Sequence, residues 1–445
     1  MPRAQYKAIV DQLAEQIRDG LLAPGTRLPT HRELAATYGM ATGTATRVYA
    51  ELQAMGLVSG ETGRGSFVRE PRLPLEQGLD HRHMADGVVD MNFNACVLPG
   101  QVELLRDGLK RLAGSGDLDA ILRYQPHAGR VHERALVAQH LARQGVRVPP
   151  EQVAIVSGAQ HGLAVAALAL LHPGDVVAVD ALTYPGFKVV AQACGLELAP
   201  LPVTRYGTDL KALQVLCHKR KVRAVYAIPT MHNPLGCMMG LQARKDLVAL
   251  ARAHDLLLIE DAAYAFLLEQ APPPLFALAP ERCVHVSGLS KSVATGLRFG
   301  YVAAPADCTA RIERSIRATT WNTPALMTAL ACAWLQDGTV LRLEHEHRED
   351  ARQRQQLVGE ALHGFKMQRH PNAYFVWLPL EDGVRADQVV LTLAKAGIAA
   401  STAEPFATSS QAPHALRLAL ATVPMDTLKA TLLRVRKVLA NMSID

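Results

Sequence analysis

The chain has 445 residues, seven cysteines and a formal net charge of +6, with 49% of its residues hydrophobic and 20% charged. That supports two or three domains with sizeable cores. It argues against a membrane-spanning helix, since no apolar run approaches the ~20 residues required, and against a secretory leader, since MPRAQYKAIVDQLAEQIRDG is polar with a helical period.

Residues 1–70 read as a small unit. Ile9, Leu13 and Ile17 space the apolar face of a first helix, and Gly20 is placed to end it. APGTRLP (23–29) is a turn, and Thr30-His31-Arg32-Glu33 has the pattern of a capping box, in which hydroxyl and carboxylate each satisfy a backbone donor. A second helix follows through Leu34 and Ala35 to Gly39. ATGTATRVYAELQAMG (41–56) predicts a third helix with Val48, Leu52 and Met55 inward and Gly56 as its stop. LVSGETGRGSFV (57–68) reads as strand, Gly-rich turn, strand. Three short helices and a hairpin make a winged helix-turn-helix, whose third helix enters the major groove of double-stranded DNA. The modest net charge permits that contact without demanding it.

PRLPLEQGLDHRHMADGV (71–88) has no period and is expected to be a linker. From residue 89 the pattern changes. VAIVSG (153–158), VVAVD (176–180), VRAVYAIP (222–229), LLLIED (256–261) and CVHVSG (283–288) alternate with helical segments, which predicts a largely parallel α/β domain over 89–340. Charged helices and short strands over 341–445 predict a smaller α+β domain. The cysteines (Cys96, Cys194, Cys217, Cys237, Cys283, Cys308, Cys332) include no CxxC pair, so neither a disulfide framework nor a metal site is indicated and a reducing cytoplasm is the expected compartment.

Active sites of parallel sheets lie at the strand C-terminal ends, and here each end carries a pointed group. Lys291 follows CVHVSG, set among Ser287, Gly288, Ser290 and Gly296. Asp261 closes LLLIED and Tyr264 follows it; Asn233 sits in HNPLG; Gly158, Ala159 and Gln160 open a helix after VAIVSG. Singly, each has a plainer explanation: a solvated lysine, a helix-capping aspartate, an Asn-Pro turn. Together they match the needs of pyridoxal phosphate. Lys291 is the amine for its aldehyde, and Asp261 the partner of its pyridine nitrogen. Asn233 and Tyr264 are donors to its phenolic oxygen. The backbone at Gly158, Ala159 and Gln160, with Arg298, suits its phosphate. Tyr184 in DALTYPGF can stack on the ring.

Residues 89–440 resemble the fold-type I aminotransferase family, through NPLG, DAAY, SKSVATGLRFGYV and YQPHAG (124–129). The resemblance implies that Arg417, in LRLALA (416–421), binds a substrate carboxylate. It also implies that Tyr124 reaches the phosphate in a neighbouring subunit of a homodimer. Where the family has a hydroxyl residue three before the lysine this chain has Gly288, with Ser287 or Ser290 as replacements. Residues 1–70 resemble the GntR winged-helix family. By that resemblance the DNA-contact positions are Arg32, Thr42, Thr44, Thr46, Gly63 and Arg64, with Arg47 on the same helix; Ala41-Thr42 stands where Ser-Arg is usual. A GntR head on an aminotransferase-like body is the arrangement of the MocR regulators. It implies a DNA-binding regulator that senses an amino acid or amine, in head-to-tail, domain-swapped dimers. The alternative is a working aminotransferase with an accessory head.

Overall fold

The structure is a computed structural model that describes residues 3–18, 21–23, 25–54, 57–61, 65–68, 88–95, 97–114, 118–204, 207–409 and 412–442. Gly63 and Arg64, the linker through residue 87, and the expected helix stops Gly20 and Gly56 lie outside them. The chain divides into two compact units, Met1–Asp80 and His81–Asp445.

In the first unit, α1 (Arg3–Arg18), α2 (His31–Thr37) and α3 (Thr42–Ala54) precede an antiparallel hairpin of β1 (Val58–Glu61) and β2 (Gly65–Val68). The expected capping box is present: Thr30 N donates to Glu33 Oε2 over 2.7 Å and Glu33 N to Thr30 Oγ1 over 3.3 Å. Ile9, Leu13 and Ile17 from α1, Val48 and Leu52 from α3, and Val58 and Val68 from the hairpin share one core. This is the winged helix-turn-helix that the sequence pattern predicts.

The second unit holds a seven-stranded sheet in the spatial order Val153–Val156, Gly300–Ala303, Cys283–Gly288, Leu257–Asp261, Val222–Ala227, Val176–Asp180, Glu197–Leu201. Only Gly300–Ala303 runs against its neighbours; every other pairing is parallel. The strands read as predominantly apolar runs because both faces are covered. Val225, Ala227 and Leu258 face one core, while Ala224, Tyr226 and Ile259, one residue out of phase, face the other. VAIVSG ends as a strand at Val156, because Ser157-Gly158 already form the turn into the helix Ala159–Leu170.

A four-stranded sheet, in the order Phe375–Pro379, Ala415–Ala419, Ile398–Thr402, Val89–Met91, forms the smaller layer. Its last strand departs from the expected boundaries. Val89–Met91 falls at the start of the segment assigned to the large domain, yet it pairs in parallel with Ile398–Ala400. Three residues carry too little periodicity to reveal a partner so distant in sequence. Nor is there a break near residue 340. The helix Thr339–Ala361 starts in the large-domain core with Val340 and Leu343 and ends in the small-domain core with Val358 and Ala361. Among the described residues no helix is long and apolar enough to cross a membrane.

Candidate functional site

The strand ends converge as the parallel topology requires. At one end of the site, Gly158 is the N-cap of Ala159–Leu170 with φ +86°, a left-handed value that favours glycine. The turn rests directly on two further glycines. Gly288 and Gly300 are cross-strand partners. A Cβ on Gly300 would lie 2.6 Å from Gly158 C and 2.8 Å from Ala159 N. One on Gly288 would lie 2.8 Å from Phe299 O. A side chain at 288 therefore has no room, which explains the departure from the family pattern. Of the two candidate replacements, Ser287 donates to Ala262 O over 3.1 Å. Ser290 Oγ is buried and has no hydrogen-bond partner among the described residues.

Arg298 closes this corner from above. Its Nη2 donates to Ser157 O over 3.2 Å and would lie 2.7 Å from a Cβ on Gly158. The free N–H groups of a helix N-terminus and a guanidinium thus face the same spot, an arrangement suited to a dianion. His161 lies beneath it. Ser157 N donates to its Nδ1 over 3.1 Å, so Nε2 carries the proton toward Thr319 Oγ1 at 2.8 Å. Burial and then the Arg298 charge push its pKa down, so the imidazole adds no charge here. The Gln160 side chain donates to Gly186 O over 2.8 Å, leaving its backbone N–H as the group it offers to a ligand.

At the other end, Asp261 is buried at the tip of its strand. Its Oδ2 accepts from the Tyr226 hydroxyl at 2.7 Å and its Oδ1 from Ala263 N at 3.0 Å. Burial raises its pKa; the two hydrogen bonds oppose that rise. Tyr226 stacks on Phe187 with ring centroids 3.8 Å apart and planes 4° from parallel. Tyr184 caps the next helix, and its hydroxyl is pushed up by burial and by the Asp261 charge. Asn233 is buried, and its Oδ1 has no partner among the described residues.

Lys291 Nζ donates to Asn94 O over 2.9 Å and sits 5.9 Å from the centre of the Tyr264 ring. Arg417 is 4% exposed. It donates to Asn92 O over 2.6 Å and lies 5.1 Å and 5.8 Å from the Phe375 and Phe406 rings. One short segment, residues 92–95, therefore spans both cations. It is pinned on the far side by Asn94 Nδ2 to the Tyr264 hydroxyl (3.4 Å), Ala421 N to Asn94 Oδ1 (3.2 Å) and Ala95 N to Thr422 Oγ1 (3.1 Å). The sequence reading missed Tyr226, Asn92, Asn94 and His161. Tyr226 is the one hydroxyl in the strand Val222–Ala227, and Asn92 and Asn94 recur at the strand period.

Tyr124 stands apart from this cluster. It is 87% exposed, and its ring lies 5.7 Å from Trp321. In the head, Arg32, Thr42, Thr46 and Arg47 are exposed and Thr44 half-buried. The Arg47 guanidinium lies 5.0 Å from the centre of the Tyr6 ring on α1.

Residues 86–435 match the family described as aminotransferase class I and II. The chain belongs to this family. Residues 5–68 match the gntR family of bacterial regulatory proteins, so a GntR head precedes the aminotransferase-family body, as in the MocR architecture. The HTH-type transcriptional regulator YdeF of Bacillus subtilis is 27% identical over 98% of this chain and 95% of its own. The HTH-type transcriptional regulator TauR of Rhodobacter capsulatus is 30% identical over 70% of each chain. The body also superposes on LysN, an alpha-aminoadipate aminotransferase of Thermus thermophilus solved with N-(5'-phosphopyridoxyl)-L-leucine. The TM-score is 0.74 and the identity 24%, over 83% of this chain and 97% of that one, which establishes a shared fold.

Proposed function

We propose that this protein is a DNA-binding transcription regulator whose aminotransferase-family body binds pyridoxal phosphate at Lys291 and responds to an amino acid or amine. The residues fit the cofactor. Buried polar atoms normally find partners. Here Ser290 Oγ lacks one among the described residues, and the Tyr264 hydroxyl, which accepts from Asn94 Nδ2, keeps its own proton to donate. When bound, the cofactor supplies an aldehyde that is electrophilic toward primary amines and a pyridine ring that withdraws electrons. Arg298 and the amides after Gly158 hold its phosphate. Asp261, whose carboxylate accepts from Tyr226 and Ala263, would sit against the ring nitrogen and favour its protonated form. Tyr184 would cover the ring face, and Asn233 and Tyr264 would orient the phenolic oxygen. Arg417 receives the carboxylate of the effector.

The observation that carries the regulatory reading is the segment 92–95. It touches Lys291, Tyr264 and Arg417 at once and follows in sequence the linker from the head. A carboxylate at Arg417 competes with Asn92 O, and an electrophile at Lys291 competes with Asn94 O. Occupancy of the site is thereby felt at the segment that leads back to the head. Exposed apolar side chains on three helices that pack together, Leu105 on Gln101–Gly114, Leu118 and Leu122 on Leu118–Leu122 and Leu326 on Ala325–Gln336, with Trp321 beside Tyr124, support a homodimer through this face. A second reading, retained transamination, is favoured by the simultaneous presence of Lys291, Asp261 and Arg417.

An absorbance titration of the purified protein with amino acids and amines tests both readings. A visible band that shifts and persists, with a parallel change in DNA affinity, is the regulator's result. Loss of the visible band, restored by a 2-oxo acid, is the enzyme's. A protein that shows no such band after cofactor is added does not use Lys291 as proposed.

A further inference from the structure

His31, in the first turn of α2, reaches across to α3. Its Nδ1 lies 3.1 Å from Thr46 Oγ1. Its ring stacks on Tyr49, with centroids 4.9 Å apart and planes 28° from parallel. Tyr49 is fixed in turn, its hydroxyl donating to Pro29 O over 2.6 Å. Thr46 Oγ1 also lies 3.1 Å from Thr42 O, one turn back on its own helix. A threonine hydroxyl has one proton to give. Thr42 O can only accept, so Thr46 donates there, and both contacts are satisfied when His31 Nδ1–H donates to Oγ1. Thr46 then has no donor left. Its oxygen faces α2 and the preceding turn, yet the residue is exposed, so its methyl is the group left to meet a partner. Anchoring the hydroxyl to the i−4 carbonyl also fixes χ1 of this β-branched side chain.

We infer that Thr46 reads DNA through its methyl group, held in place by His31, and that the base it recognises is a thymine. The inference rests on the DNA-binding reading of the head. In the major groove the apolar complement to a threonine methyl is the thymine C5-methyl. A freely rotating Thr46 hydroxyl could instead donate to a purine N7 or a guanine O6; the His31 clamp removes that option. Arg47, the next residue, lies against Tyr6.

The test uses the full-length protein and a random-sequence duplex library. Duplexes that the wild type enriches are resynthesised with each thymine replaced in turn by deoxyuridine, which lacks only the methyl. At one thymine per half-site we expect uridine to weaken wild-type binding by about fourfold, the effect of one buried methyl. Thr46→Ser keeps the hydroxyl and loses the methyl, and is expected to bind both duplexes equally. His31→Ala is expected to narrow the gap between thymine and uridine, because the side chain is no longer held. A wild type insensitive to every thymine methyl, or a Thr46→Ser variant that still prefers thymine at that position, overturns the assignment. A His31→Ala variant with the full gap overturns the clamp. If the wild type enriches no sequence at all, the DNA-binding reading of the head fails and takes the inference with it.

Discussion

Two single residues carry predictions at the proposed cofactor site, one through charge and one through packing. Tyr226 supplies one of the two hydrogen bonds that oppose the rise of the Asp261 pKa caused by burial. Tyr226→Phe preserves the stack on Phe187 and removes only the hydroxyl. Losing a hydrogen bond to a buried charged group costs ~1.5–3 kcal/mol, so cofactor affinity is expected to fall by about tenfold or more, measured by spectroscopic titration. The sign of the pH effect follows. Burial holds the folded Asp261 pKa above its unfolded value, so the folded state keeps a proton that the unfolded state has released. Stability therefore falls as pH rises through that window, and the Tyr226→Phe substitution widens the window upward. Gly288 acts by what it leaves out. Gly288→Ala brings a Cβ to 2.8 Å from Phe299 O and 2.9 Å from Gly300 Cα, both backbone atoms that cannot swing aside. Overpacking of this kind costs ~1–3 kcal/mol, and a lowered melting temperature of the body is the expected reading. Gly288 could be seen in the sequence as a departure from the family, but its reason could not. The crowding comes from Phe299, Gly300 and Ala159, brought together only by the fold.

At the scale of elements, most of the architecture was legible because it rests on local rules. The capping box at Thr30 and Glu33, the apolar faces of α1 and α3 and the predominantly apolar strands depend on neighbours a few residues apart. The strand Val89–Met91 and the helix that bridges both domains depend on distant partners, and the local pattern was silent about them. That helix, Thr339–Ala361, holds a buried titratable contact that sequence periodicity could not place. Glu344 Oε1 lies 3.6 Å from His140 Nε2 on the large-domain helix Val131–Arg143. The contact has the spacing of an ion pair, but burial works against charge on both sides. It pushes the Glu344 pKa up to about 7, opposed by Arg348 and Arg143, and the His140 pKa down to about 4, assisted by Arg143. Both groups are therefore neutral in mildly acidic solution. Glu344 binds its proton more tightly when folded, so its contribution is present below about pH 4.5 and is lost as pH rises through 7. His140 contributes in the opposite sense, gaining stability between about pH 4 and 6.5. Glu344→Gln removes the first effect alone. Relative to the wild type, the variant is expected to match at pH 4 and to gain up to ~3 kcal/mol by pH 8, read from thermal unfolding at the two pH values.

At the scale of the whole molecule, the decisive question is whether each site is completed by a second copy. Lys291, Asp261 and Arg298, the lysine, aspartate and arginine proposed to hold the cofactor, all come from one chain, and they are the part of the site most readily read from sequence. Tyr124 is assigned to the same site, yet it is 87% exposed and beside Trp321 on a face carrying Leu118 and Leu122. A tyrosine so exposed serves its own chain's cofactor poorly and a partner's well. A C2 dimer makes this testable by complementation, because each site takes Lys291 from one copy and Tyr124 from the other. Tyr124→Ala alone is expected to weaken cofactor binding at every site, and Lys291→Ala alone to abolish the visible band. When the two variants are mixed and allowed to exchange subunits, the mixed dimer has one site with both residues intact and one with neither. About a quarter of all sites should then recover wild-type affinity, seen as a tight phase in the cofactor titration. If Tyr124 served its own chain, every site in the mixture would lack one residue or the other, and no tight phase would appear. Leu122→Asp supplies the complementary evidence. A charge on this apolar face should shift the protein to monomer in sedimentation and, by withdrawing the partner's Tyr124 from every site, weaken cofactor binding about as much as Tyr124→Ala does.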